Sequence, residues 1–125
     1  MSKRDRSMQR ATHSDIFIVG SGLEPTLVDK GIRRQILGYN ADIMTCRVWF
    51  EQRACGAAHT HPHSQVTFVE KGRFLFHVGN ESRQLGPGDC VFIPPGVIHG
   101  AECLEAGILL DNFSPGRADF LEHAE

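Results

Sequence analysis

No two of the four cysteines, Cys46, Cys55, Cys90 and Cys103, form a C-x-x-C pair, so neither a zinc ribbon nor a thioredoxin-like redox centre is indicated. Three of them sit inside apolar, strand-like segments and read as small buried hydrophobes. No apolar run approaches the about 20 residues that a membrane-spanning helix needs. The N-terminal MSKRDRSMQR also lacks the apolar stretch of a secretory signal, so a cytoplasmic protein with no membrane partner is expected. Neither sign of charge is in excess: 13 Lys and Arg stand against 15 Asp and Glu, a net charge of -2. That balance argues against a nucleic-acid binder, and 41% hydrophobic residues argue against a disordered chain. Small molecules remain as the default partners.

What is present fits one domain. A chain of 125 residues buries roughly two-thirds of its unfolded surface and can build a core without disulfides. Residues 1–14 carry Lys3, Arg4, Arg6 and Arg10 without a hydrophobic period and are expected to be a solvated tail, which leaves 15–125 as the folded domain. Ile16 to Val19 is expected as a short strand at an edge or in subunit pairing, and Gly20 to Asp29 as a loop.

From Ile43 to Glu51, Met44, Cys46, Val48 and Phe50 alternate with Thr45, Arg47 and Glu51, the period-two pattern of a half-buried strand. Strand-like runs follow at Val66 to Val69, Arg73 to Val78, Cys90 to Ile93 and Gly107 to Phe113. Between them lie Lys71-Gly72, Gly79-Asn80, Gly86-Pro87-Gly88 and Pro94-Pro95-Gly96, all turn signals. Only Ala118 to His123 reads as weakly helical. Short strands with Gly and Pro punctuation and no long amphipathic helix predict an all-β sandwich or barrel.

His59, His61 and His63 alternate in the segment Ala58-His59-Thr60-His61-Pro62-His63-Ser64-Gln65. On an extended chain residues two apart project to one side, so His59 and His61 can share a metal ion, and Gln65 has the parity to add an amide oxygen. A second segment runs Gly88, five residues, Pro94, Pro95, Gly96, two residues, His99. Its three punctuation positions coincide by chance only about once in a few thousand starts at ordinary Gly and Pro frequencies.

With these two segments the sequence resembles the cupin superfamily, whose motifs are G(X)5HXH(X)3,4E(X)6G and G(X)5PXG(X)2H(X)3N. The first reads here as His59-Thr60-His61, Gln65 and Gly72, and the second runs from Gly88 to His99. The leading glycine of the first motif is missing, Gln65 replaces the glutamate, and Cys103 replaces the final asparagine. The resemblance implies a double-stranded β-helix, a jelly-roll barrel, in which His59, His61, Gln65 and His99 hold one divalent ion. Three imidazoles and an amide oxygen form a neutral set open to Ni, Zn, Fe or Mn. His63 keeps the ligand parity but not the motif spacing, and either faces the substrate, supports a ligand or is a surface histidine.

The segments Gly31 to Tyr39, His59 to Gln65 and Leu110 to Leu121 are similar to the pectin-degradation cupins of the KdgF type. That resemblance implies catalytic roles for Asp111, Phe113 and Arg117, which match a D-x-F-x3-R segment. It also implies a uronate-like sugar acid as substrate, with ring-opening ketonisation of 4,5-unsaturated monouronates as the reaction, and a homodimer. Asp111 and Phe113 share a strand face. Without the family, Asp111 reads equally as a strand-end cap, and Arg117 as a solvated residue or a partner of Asp119 or Glu122. A metal-dependent dioxygenase and a non-catalytic sugar-binding cupin are the alternative readings.

Overall fold

Alternation of buried and half-buried side chains along Met44–Phe50 builds one strand of a barrel wall, and seven others complete it. In the computed structural model, which describes residues 12–122, the strands are β1 (Thr26–Asp29), β2 (Ile32–Tyr39), β3 (Met44–Phe50), β4 (Cys55–His59), β5 (Ser64–Val78), β6 (Glu81–Leu85), β7 (Cys90–Ile93) and β8 (His99–Ser114). One short helix, α1 (Ala118–Glu122), closes the chain. Every strand pairing is antiparallel. No helix among the described residues is long and apolar enough to cross a membrane.

The two long strands serve both walls. Residues 107–113 of β8 pair with β3, and the first part of β5 lies between β8 and β7. Residues 99–102 of β8 pair with β4, while the last part of β5 pairs with both β8 and β6. The strands turn the corner together where Gly72 meets Gly107. A Cβ on Gly72, whose φ is +85°, would lie 2.5 Å from the Glu105 carbonyl oxygen, and one on Gly107 would overlap the Lys71 carbonyl. Only glycine fits such an approach. The result is the expected double-stranded β-helix.

That corner explains one departure from expectation. Lys71-Gly72 does not separate two strands but bends β5, with register shifts from Val69 to Phe74. Inward residues change there from Gln65, Thr67 and Val69 to Phe74 and Phe76, and this break in parity reads in sequence as a strand end. Ile16–Val19 forms no strand, and β1 occupies part of the expected Gly20–Asp29 loop. The segment near residues 20–23 has its backbone carbonyls occupied by a side chain instead: the Gln35 amide donates to the Gly20 and Leu23 oxygens at 2.6 and 2.9 Å. The tail expected over residues 1–14 lies outside the described residues as far as residue 11; Ser14 donates its N–H to the Tyr39 carbonyl at 2.8 Å.

Met44, Cys46, Val48, Phe50, Val69, Phe74, Leu109 and Phe113 form the core, with the Phe50 and Phe74 rings edge to face at 5.2 Å. Burying each large apolar side chain stabilises the barrel by about 1.5–3 kcal/mol. Of the four free cysteines only Cys46 and Cys103 are buried, whereas Cys55 and Cys90 are exposed. An apolar-looking strand has an outer face too, and period two puts these thiols on it.

Candidate metal centre

His59 ends β4 and His99 begins β8, and the two are direct partners in the ladder. His61 follows on the connection into β5, and Gln65 sits just inside that strand. The Pro94-Pro95-Gly96 turn leads the chain into His99. Gly96 takes φ +77°, and its N–H donates to the His61 carbonyl at 2.9 Å, pinning the two histidine segments together. Ring centroids lie 4.4 Å apart for His59 and His99, 4.8 Å for His61 and His99, and 5.5 Å for His59 and His61. One ligand atom from each ring falls within 4.8 Å of the other two.

The second ring nitrogens are used as a metal centre requires. Nδ1 of His59 donates to the Ala57 carbonyl and Nδ1 of His99 to that of Val97, both at 2.9 Å, while Nδ1 of His61 donates to the His63 carbonyl at 3.2 Å. Each Nε2 is thereby left with its lone pair. His99 Nε2 is buried and has no hydrogen-bond partner, a costly state unless something binds it. His61 Nε2 faces Gln65 Oε1 at 2.8 Å. With Nδ1 donating, the neutral ring turns a lone pair toward the Gln65 amide oxygen, and the two atoms can share a cation. A divalent ion meets the needs of Nε2 on both His61 and His99, and the donor set fits one.

Gln65 is oriented from behind. Its Nε2 donates to Thr67 Oγ1 at 2.9 Å, and that hydroxyl donates to Asp111 Oδ1 at 2.7 Å. Asp111 faces Thr67 across the β5–β8 ladder and is pushed above the ordinary carboxylate range. Burial is the main cause, and the Thr67 hydrogen bond, Arg117, Arg34 and His59 oppose it. Burial likewise pushes the Cys46 thiol beside it up to about 12, which makes it a core hydrophobe rather than a nucleophile. Desolvation lowers His99 and His63, and neighbouring positive groups add to the effect.

A cavity of about 240 Å³ opens at this site, lined by His59, Gln65, His99, Asp111, Phe113 and Arg117 among others. That is below the roughly 300–1,000 Å³ of pockets for drug-sized ligands, and suits a single small molecule. Of the seven residues singled out from sequence, six line the cavity. His61 stands behind it, its ring edge to face with Phe113 at 5.8 Å. His63 contributes its carbonyl to His61.

Arg117 is committed in part, donating from Nε and Nη2 to the two Asp119 carboxylate oxygens at 3.0 and 2.9 Å. Thr67, Arg34 and Phe120 were not singled out from sequence. Thr67 shares the Gln65 parity, and Arg34 stands between Ile32 and Ile36 on the inward face of β2. A charge at an apolar parity position is a signal the pattern carried.

The family model described as Cupin domain matches residues 48–110. The chain belongs to the cupin family. Its relatives include the pectin degradation protein KdgF of Dickeya dadantii (strain 3937), 40% identical over 93 residues that span 73% of this chain and 84% of that protein. Among solved structures, an RmlC-like cupin from Shewanella frigidimarina NCIMB 400 superposes with a TM-score of 0.86 at 42% identity, covering 88% of this chain and 99% of the other. KdgF from Halomonas sp. gives a TM-score of 0.82 at 34% identity, covering 86% and 99%. This cupin is therefore a KdgF homologue whose three-histidine cluster is arranged for a metal ion.

Proposed function

We propose that this cupin opens and ketonises 4,5-unsaturated monouronates at a single divalent ion held by His59, His61, Gln65 and His99. The observation that carries the reading is the hydrogen-bonded line Gln65–Thr67–Asp111. It ties a ligand of the ion to a carboxylate that faces the same cavity, so a Lewis acid and a base address one small substrate. The similarity to the pectin degradation protein KdgF supports a substrate that arises in pectin breakdown.

The bound ion supplies positive charge against which negative charge on a substrate oxygen is stabilised. Asp111, raised by burial, accepts the proton of the anomeric hydroxyl, as a general base tuned toward neutral pH does. The bond between C1 and the ring oxygen breaks, the ring oxygen takes the electron pair as an enolate, and C1 becomes an aldehyde. Asp111 returns its proton to C4, leaving a ketone at C5. Atoms and electrons balance with no oxidant. Phe113 offers a ring to the sugar face, and Arg117 adds positive charge beside Asp111.

The test is decay of the ultraviolet absorbance of an unsaturated uronate in the presence of the metal-loaded protein, with metal content measured by elemental analysis. Oxygen uptake without that decay overturns the reading in favour of a dioxygenase. A homodimer belongs to the same proposal, because Ile16, Phe17 and Val19 are 90%, 88% and 72% exposed although the nearby Ser14 is anchored to β2. Mass measurement in solution checks it.

A further inference from the structure

Two guanidinium groups border the cavity, and they differ in what they have left to give. Arg117 is forked onto Asp119. Arg34 lines the same cavity from β2, its side chain sent inward by the register that pairs it with Val48. Its Cζ sits 3.6 Å from the centroid of the Phe120 ring, and Arg117 Cζ is 4.1 Å from the same ring. Among the described residues Arg34 forms neither a salt bridge nor a side-chain hydrogen bond.

Arg34 is half-buried, and its five N–H donors are uncommitted to other side chains. Stacking on an aromatic face uses the flat side of the group and leaves its in-plane donors open to a ligand. Its position also separates it from the ion. The line from the metal centre runs from His61 to Phe113 at 5.8 Å, from Phe113 to Phe120 at 5.6 Å, and on to Arg34. Phe120 backs the guanidinium beyond the chemistry, where a planar acceptor can meet it edge on.

We propose that Arg34 is the substrate-binding residue that receives the carboxylate of a sugar acid. Arg117, forked onto Asp119, keeps its charge near Asp111. This rests on the uronate reading above and names the residue that selects an acid over a neutral sugar.

The experiment compares binding of D-galacturonate and of neutral D-galactose to the full chain by calorimetry, for the wild type, Arg34→Gln and Arg34→Lys, alongside kcat and KM for the unsaturated uronate. Arg34→Gln is expected to weaken galacturonate about ten- to hundredfold, the scale of a charge-assisted bidentate contact, and to leave galactose unchanged. KM should rise by the same factor with kcat within about threefold.

A wild type with no preference for the acid overturns the proposal, as does an Arg34→Gln protein of unchanged melting temperature that keeps its preference within about twofold. If Arg34→Gln does not fold, Arg34→Lys decides. It keeps the charge but not the fork, so a loss of about threefold or more supports the role and an unchanged preference overturns it. Loss of acid preference in a protein that never consumes the unsaturated uronate removes the proposed reaction and keeps Arg34. Turnover with acid preference untouched does the reverse.

Discussion

His61 Nε2 and Gln65 Oε1 face each other across 2.8 Å while the other ring nitrogen of His61 is engaged by the His63 carbonyl. Two lone pairs held this close suit a shared cation. Removing divalent metal with a chelator should therefore lower the melting temperature, and one equivalent of ion per chain should restore it. At an ion concentration 100 times Kd the gain is about 2.7 kcal/mol. His99→Ala should abolish stoichiometric uptake, measured by elemental analysis after dialysis. A melting curve indifferent to chelator would contradict the assigned centre.

Asp111→Asn should lower turnover of the unsaturated uronate by about 10²- to 10⁴-fold with metal content preserved. Its effect on folding has the opposite sense. Burial raises the Asp111 pKa in the folded chain, so the folded state holds this proton more tightly than the unfolded one. From the ordinary carboxylate value up to the raised one, its contribution to stability falls as pH climbs. Metal-free Asp111→Asn should accordingly be no less stable than wild type at neutral pH and lose its advantage in acid. Urea titrations at both pH values give the difference directly.

The acid limb of kcat/KM should lie above the ordinary carboxylate range, because the proposed reaction requires Asp111 ionised. Thr67→Val removes a hydrogen bond that favours the charged form, and should move that limb further up while costing about 1–3 kcal/mol of stability for a buried acceptor left unpaired. It also frees Gln65, so weaker metal retention should accompany the shift. An unmoved pH profile would detach Asp111 from the rate-limiting proton transfer.

Gly116→Ala should be destabilising by about 1–3 kcal/mol. A Cβ at residue 116 would stand 2.5 Å from the Asn40 carbonyl oxygen, and the Gly116 N–H is donated to the Ala41 carbonyl at 2.9 Å. This contact sets the entry to α1 and so the placement of Arg117 and Phe120. Calorimetric unfolding measures the loss, and a larger KM for the uronate should accompany it.

Much of the site was legible because period two and motif spacing are local properties. His59, His61 and Gln65 share a parity, and the Pro94-Pro95-Gly96 turn announces His99. The strand β3 was legible for the same reason. β2 was not, since Arg34 interrupts its apolar face and Gln35 is buried on the other, and the cause of each lies elsewhere in the chain. Gln35 binds backbone carbonyls of residues 20 and 23, and Arg34 faces a ring contributed by α1. Thr67 escaped because its importance comes from its partner across the ladder, Asp111, which no local pattern names. The bend in β5 was hidden because a shift of parity and a strand end look alike in one dimension.

His99 and Asp111 belong to one continuous strand, with the Gly107 corner between them. A single inserted or deleted residue inside that stretch would turn the carboxylate toward solvent and leave the imidazole in place. The proposed ligand and the proposed base therefore share one fixed length of strand. Within this ribbon one side chain can replace another, but the count of residues between the two groups is fixed by the ladder.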